Sequence, residues 1–75
     1  MKNYRFSVIV ERDDDAGYFA SCNEFQGCYT QGEIYEEVID NIKDAILLHV
    51  EDRLESGDEI PQPQGVSLMH MDLAV

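Results

Sequence analysis

Positive charge is what this chain most conspicuously lacks. Lysine and arginine together number 5 against 16 aspartates and glutamates, for a formal net charge of −11 over 75 residues. Such a chain repels phosphate backbones and anionic lipid, so direct binding to DNA, RNA or a membrane surface is not expected. Long apolar runs are absent too. No segment approaches the ~20 residues needed to cross a bilayer. Nor is there the basic start, apolar middle and small-residue cleavage site of a secretory signal. Cysteine is scarce, with Cys22 and Cys28 only. They lack C-x-x-C or histidine spacing, so the tetrahedral ligand set of zinc cannot be assembled. Together these absences place the chain in a reducing cytoplasm, where both thiols stay free and act as small buried hydrophobes. Gly27 and Gly32 fit neither G-x-x-x-x-G-K-[ST] nor G-x-G-x-x-G, and read as turn glycines rather than a phosphate loop. No metal or cofactor is implied.

What is present is one small domain. A chain of this length buries little of its unfolded surface, and stability needs a supplement. With no disulfide or metal in view, self-association is the favoured source. Tyr4, Phe6, Val8 and Val10 alternate with Arg5, Ser7, Ile9 and Glu11, the period of a half-buried strand over about 4–11. Arg12-Asp13-Asp14-Asp15-Ala16-Gly17 reads as a turn. A second strand at 18–22 completes a hairpin, and a short third strand is predicted at 28–31. From about Ile34 to Glu55 the period becomes helical, with Tyr35, Val38, Ile39, Ile42, Ala45, Ile46 and His49 on one stripe. Glu33, Glu36 and Glu37 crowd the start, where the helix dipole favours negative charge, and Gly57 is placed for a left-handed cap. Thr30-Gln31-Gly32-Glu33 has the form of a capping box, but Gly32 in a first turn argues for a start near Glu33 or Ile34. Pro61 and Pro63 enforce an extended segment, and 66–75 reads as a last strand. The order β-β-β-α-β predicts an α+β two-layer sandwich, mostly antiparallel, with sheet order 3-2-1-4 and one long helix on one face.

Few residue groups support chemistry. Asp13, Asp14 and Asp15 have the charge to hold magnesium, but such a site needs carboxylates converging from other strands. They read instead as a solvated hairpin turn, and a metal-dependent nuclease built on them is a remote alternative. His49 falls on the apolar helix stripe as a packed histidine, and His70 lies between Met69 and Met71. No serine or cysteine is placed against either for nucleophilic catalysis. The chain is read as no enzyme.

Two features point outward. Leu47 and Leu54, seven residues apart, project away from the core stripe, and Leu48 sits off it on the other flank. In the last strand, Val66 and Leu68 alternate with Met69, Met71, Leu73 and Val75, so both faces are apolar. A strand covered on one side only should be polar on the other. Leu47, Leu54, Met69, Met71 and Leu73 are therefore candidates for self-association, as a homodimer or higher homo-oligomer.

An ordered set of motifs adds a family. Asp15-Ala16-Gly17-Tyr18-Phe19-Ala20 leads to the Gly27-Cys28 turn, then Thr30-Gln31-Gly32-Glu33 and the paired Glu36-Glu37. Asn41 precedes Ile42-Lys43-Asp44-Ala45, and Pro61 and Pro63 follow the helix. From Tyr4 to Pro63 this arrangement resembles the HicB family of antitoxins. Departures are Asn23 where proline is common, Ile34 in place of a capping threonine or serine, and Val38 for a frequent alanine. The resemblance implies a partial ribonuclease H-like fold without nuclease activity. It also implies a non-enzymatic role, neutralising a small basic HicA-type RNA-cleaving toxin by protein–protein contact. Many family members continue into a DNA-binding segment. This sequence ends at Val75 with its basic residues scattered, so direct autoregulation of transcription is not expected.

The contact candidates are Asp13, Asp14, Asp15 and Glu24 near strand ends, or Glu36, Asp40 and Glu51 on the outer helix face. The sequence does not choose between these surfaces. The rival reading is an orphan HicB-like domain that binds another protein or a small ligand.

Overall fold

Three strands and one helix account for the regular structure. A computed structural model of the chain describes residues 3–15 and 17–74. Strands β1 (Val8–Asp13), β2 (Gly17–Cys22) and β3 (Tyr29–Gly32) form an antiparallel sheet in the order β1-β2-β3. Val10 pairs with Ala20 across the hairpin, and Ala20 with Thr30 on the other side. Helix α1 (Tyr35–Ser56) follows at once and covers one face, giving the expected α+β two-layer fold.

β1 begins four residues later than the alternation of Tyr4, Phe6, Val8 and Val10 predicts. The backbone donors ahead of it are engaged elsewhere. The Arg5 N–H donates to Gln62 Oε1 at 3.1 Å, and the Ser7 N–H donates to Glu24 Oε1 at 2.5 Å. The Ser7 carbonyl accepts from the Asn23 N–H at 2.9 Å. The segment is therefore tied to a loop and to the Pro-x-Pro stretch instead of to a strand. Phe6 still packs on the core.

The core comprises Ala20, Cys22, Phe25, Cys28, Val38, Ile42, Ile46 and Val50. Val38, Ile42, Ile46 and Val50 recur every four residues and make the buried line of α1. Val50 was not part of the predicted stripe. Tyr35 was, but its ring sits at the rim, edge-on to Tyr18 with centroids 5.9 Å apart. Phe25, from the loop after β2, stacks on His49 at 5.1 Å and meets Phe6 in a tilted contact at 5.4 Å. The Arg53 guanidinium lies 5.5 Å from the centre of the same ring. His49 is thus a packing residue, as its place on the stripe predicts.

The helix ends are legible in physical terms. Ile34 is the N-cap and contributes no side-chain cap. The Glu37 carboxylate accepts the Glu33 N–H, just ahead of the N-cap, at 3.1 Å, tying the entering chain to the first turn. At the other end Gly57 adopts φ 74°, and the Asp58 N–H returns to the Arg53 carbonyl at 2.9 Å, closing the expected left-handed cap. Gly32 differs from expectation. It is the last residue of β3, and its role is close approach to the helix. A Cβ placed there would lie 2.7 Å from the Val38 nitrogen. Asn41 fixes the same junction by donating from Nδ2 to the Gln31 carbonyl at 2.9 Å.

The fourth strand and the order 3-2-1-4 are not formed. Among the described residues 66–74 belong to no strand and are exposed, and Val75 lies outside the described residues. α1 lies closest to β2 and β3, and from β1 Val10 packs on the core that it covers. A strand beyond the outer edge of β1 would therefore lie beyond the reach of the helix. Its apolar side chains would gain little cover from their own chain.

Candidate functional site

Among the described residues, every aspartate and glutamate except Glu24 is exposed. Some of them meet where β1 ends and α1 begins. Asp13, from the end of β1, shares a cleft of about 250 Å³ with Glu33 and Glu37 at the start of α1. Tyr18, Gln31 and the two glycines Gly17 and Gly32 complete it. Asp13 is held by its own turn, where its Oδ1 accepts the Asp15 N–H at 3.3 Å. Beyond Glu37 the acids continue along α1. With Val38, Ile42, Ile46 and Val50 facing the sheet, Glu36, Asp40, Asp44, Glu51 and Glu55 fall on the opposite side. From Glu36 to Glu55 that line is roughly 29 Å long at 1.5 Å per residue.

Of the candidates at the strand ends, Asp13 is brought to the first turn of α1 beside Glu33 and Glu37, while Asp14 and Asp15 are exposed in the hairpin turn; Glu36, Asp40 and Glu51 are exposed along α1. Sequence reasoning did not single out Glu33, Glu37, Asp44 and Glu55 as contacts. The i, i+4 spacing of Glu36, Asp40 and Asp44 was the signal that could have found one of them.

Glu24 stands apart. Its Oε1 accepts from Ser7 and lies 3.7 Å from the Cys22 Sγ, while its Oε2 is buried with no hydrogen-bond partner. Its carboxylate ties the loop after β2 to the segment before β1. Beside it, Cys22 and Cys28 are free and buried. The Cys22 N–H donates to the Cys28 carbonyl at 2.9 Å. Burial pushes both thiols above their ordinary pKa of 9.0. For Cys22, hydrogen bonds from the Glu24 and Phe25 backbone oppose the rise in part, and for Cys28 the neighbouring Cys22 adds to it. These are inert packing thiols. Among the described residues no three histidine, cysteine, aspartate or glutamate side chains converge in a way that could hold a metal ion. None of the described helices is long and apolar enough to cross a membrane.

The self-association candidates on α1, Leu47 and Leu54, stand among the acids, each within one helical turn of Glu51. Leu47 and Leu54 are half exposed, and Met69, Met71 and Leu73 are about two-thirds or more exposed, at 68%, 66% and 72%. Leu47 lines an apolar groove of about 320 Å³ between the start of β1 and the flank of α1.

Residues 6–73 match the family described as the HicB_like antitoxin of bacterial toxin-antitoxin systems. A UPF0150 protein of Synechocystis sp. is 37% identical over 59 residues, covering 79% of this chain and 75% of that protein. A UPF0150 protein of Thermoplasma acidophilum is 33% identical over 58 residues, covering 77% and 84% respectively. The protein named Antitoxin HicB 1 from Photorhabdus laumondii is 32% identical over 73 residues. That is 97% of this chain but 47% of the relative, so the chain spans about half its length.

Proposed function

Because this chain belongs to the HicB-like antitoxin family of bacterial toxin–antitoxin systems, we propose that it neutralises a small basic HicA-type RNA-cleaving toxin by direct contact. It acts in the cytoplasm as a homodimer and breaks no bond itself. The acids that Asp13, Glu33 and Glu37 bring together at the start of α1, with the exposed Glu36, Asp40, Asp44 and Glu51 along the helix, support this reading. A protein that cleaves RNA must hold a polyanion with positive charge. A preformed anionic surface of comparable reach steers such a partner in and competes with RNA for the same side chains. Asp13, Asp14, Asp15, Glu36, Asp40 and Glu51 are the contact residues in this reading. Glu24 is tied to Ser7 at the other end of the β1–β2 hairpin.

Co-expression with a HicA-type toxin tests it. The wild-type chain should co-purify with the toxin and restore growth. The variant Glu36→Lys/Asp40→Lys/Glu51→Lys should lose association rate while keeping its fold, since all three side chains are exposed. Absence of both complex and growth rescue with the wild-type chain would remove the proposal.

A further inference from the structure

Cys22 and Cys28 are the nucleophilic side chains of the core, and contact with a toxin uses neither. Their places follow from the sheet register. Ala20 faces Thr30 and Ser21 faces Tyr29 across β2 and β3. One step further along the same ladder Cys22 faces Cys28, and the bond from the Cys22 N–H to the Cys28 carbonyl at 2.9 Å holds the two backbones side by side there. Residues directly opposite in a ladder project from the same face of the sheet. Here it is the face that α1 covers, where Cys22 is 4% and Cys28 3% exposed. Burial is the chief upward push on the Cys28 thiol, and the adjoining Cys22 thiol adds to it, the mark of two side chains in contact.

We propose that Cys22 and Cys28 form a paired oxidation site, closing an intramolecular disulfide across the ends of β2 and β3 in the folded chain with hydrogen peroxide as the oxidant. This stands apart from the antitoxin reading and does not depend on a toxin. Span permits it. Opposed residues that share a ladder hydrogen bond have Cα atoms about 5.5 Å apart, inside the ~4.4–6.8 Å that a disulfide bridges. The bond therefore closes without a change of register. Access is short. In the chain Cys22 and Cys28 are flanked by the exposed Asn23 and Gly27, in a loop outside strand and helix. A peroxide hardly larger than water needs only a local opening of that loop.

The neighbours favour Cys22 as the first thiol to react. The Glu24 Oε1 lies 3.7 Å from its Sγ, and the Glu24 Oε2 is buried with no hydrogen-bond partner, so this carboxylate is placed to take the thiol proton. Burial raises the Cys22 pKa most, but hydrogen bonds from the Glu24 and Phe25 backbone work toward the thiolate. The Cys22 sulfur attacks one peroxide oxygen and the O–O bond breaks. The departing hydroxide takes the proton from Glu24 and leaves as water, with a sulfenic acid on Cys22. The Cys28 sulfur then attacks the Cys22 sulfur. The S–O bond breaks, and the second hydroxide takes the Cys28 proton. Two thiols lose two electrons and two protons, and one peroxide becomes two waters.

The product is a closed ring from Cys22 to Cys28. It encloses Phe25, whose own ring packs on Phe6, His49 and Arg53. Oxidation thus fastens the loop that carries the aromatic centre of the core. Burial makes the step slow, so the same thiols are inert to reagents too bulky to enter.

The test exposes the full-length folded chain to excess hydrogen peroxide overnight and then removes the peroxide with catalase. Remaining thiols are blocked with N-ethylmaleimide in urea, and the intact mass is read. Wild type should lose the mass of two hydrogens, carry no maleimide and remain a single covalent chain on a non-reducing gel. Dithiothreitol should restore both thiols. Cys28→Ser should form no ring and hold a sulfenic acid at Cys22 that dimedone traps. Oxidised and reduced wild type are then melted side by side. Closing the ring should raise the midpoint by about 10 °C and leave the far-UV circular dichroism unchanged. Two maleimides on the treated wild type, a covalent two-chain product, or an oxidised chain that melts below the reduced one overturns the proposal.

Discussion

Replacing Gly32 with alanine should destabilise the domain through the backbone of the helix, not through strand propensity. A Cβ at position 32 would sit 2.7 Å from the Val38 nitrogen, 2.9 Å from its Cα and 3.1 Å from its Cβ. Real carbon contacts are essentially never that short, so β3 and the first turn of α1 must separate. That movement strains the first helical hydrogen bond, from the Val38 N–H to the Ile34 carbonyl at 3.1 Å. Overpacking of this kind costs about 1–3 kcal/mol. A 75-residue domain has about 4–11 kcal/mol in total, and each kcal/mol moves its midpoint by about 4–8 °C. The expected fall in Tm is therefore about 4–24 °C, read by circular dichroism at fixed protein concentration and checked by urea unfolding. Val38→Ala in the same chain should not rescue it. The closest atoms are backbone, and alanine keeps the Cβ as well. Gly27→Ala is the contrasting control: φ is 77° there with nothing within 4 Å, so its cost is conformational, about 1–2 kcal/mol. A Gly32→Ala protein within about 0.5 kcal/mol of wild type, the ordinary range for surface changes, would refute the argument. So would rescue by Val38→Ala.

Phe25→Ala should cost about 3–5 kcal/mol, a large share of the total, because this ring is only 2% exposed and bridges Phe6, His49 and Arg53; chemical denaturation measures it. Cys22 and Cys28 should resist thiol reagents near neutral pH and react at once on unfolding, as their raised pKa values require. The sign for stability follows from the same shift. The folded state favours the neutral thiols, so their contribution is present below the ordinary value of 9.0 and is lost as pH rises through the higher folded value. Unfolding midpoints measured from pH 8 upward should therefore fall more steeply for wild type than for a Cys22→Ala/Cys28→Ala variant.

The helix was the most legible element because its signals agree. Apolar spacing, acids at the start and a glycine at the end all specify the same segment, and the structure places it at Tyr35–Ser56. The strands were legible in number and pairing but not in extent. Tyr4 to Ser7 alternate like a strand, yet Glu24 and Gln62 capture their donors, a tertiary event with no local trace. Gly32 was legible as a special position but not for its reason, since close approach to Val38 depends on where the helix lands. The last segment shows the limit of periodicity. Alternation announces a strand wherever it occurs, but pairing needs a covered edge, and the helix lies closest to β2 and β3. Among the acids, the sequence could not distinguish Glu24, turned into the loop, from Asp13, brought to Glu33 and Glu37 by the fold.

Toxin capture and self-association should respond to salt with opposite sign. The acids and the apolar groove wall are neighbours on one helix, with Leu47 within one turn of Asp44 and Glu51 and Lys43 within one turn of Asp40. Capture of a basic partner by the acidic line is attraction between unlike charges, and screening weakens it. Pairing of two copies, as in the homodimer of the proposed function, is apolar burial opposed by repulsion between two chains of −11, and screening relieves that repulsion. Raising ionic strength shortens the screening length from ~10 Å at 0.1 M to ~3 Å at 1 M. Across that range the toxin dissociation constant should rise while the dimer dissociation constant falls. Titration calorimetry for the first and sedimentation for the second measure both on one protein preparation. If the two constants move in the same direction, one of the two contacts is not of the kind assigned to it, and the assignment is wrong.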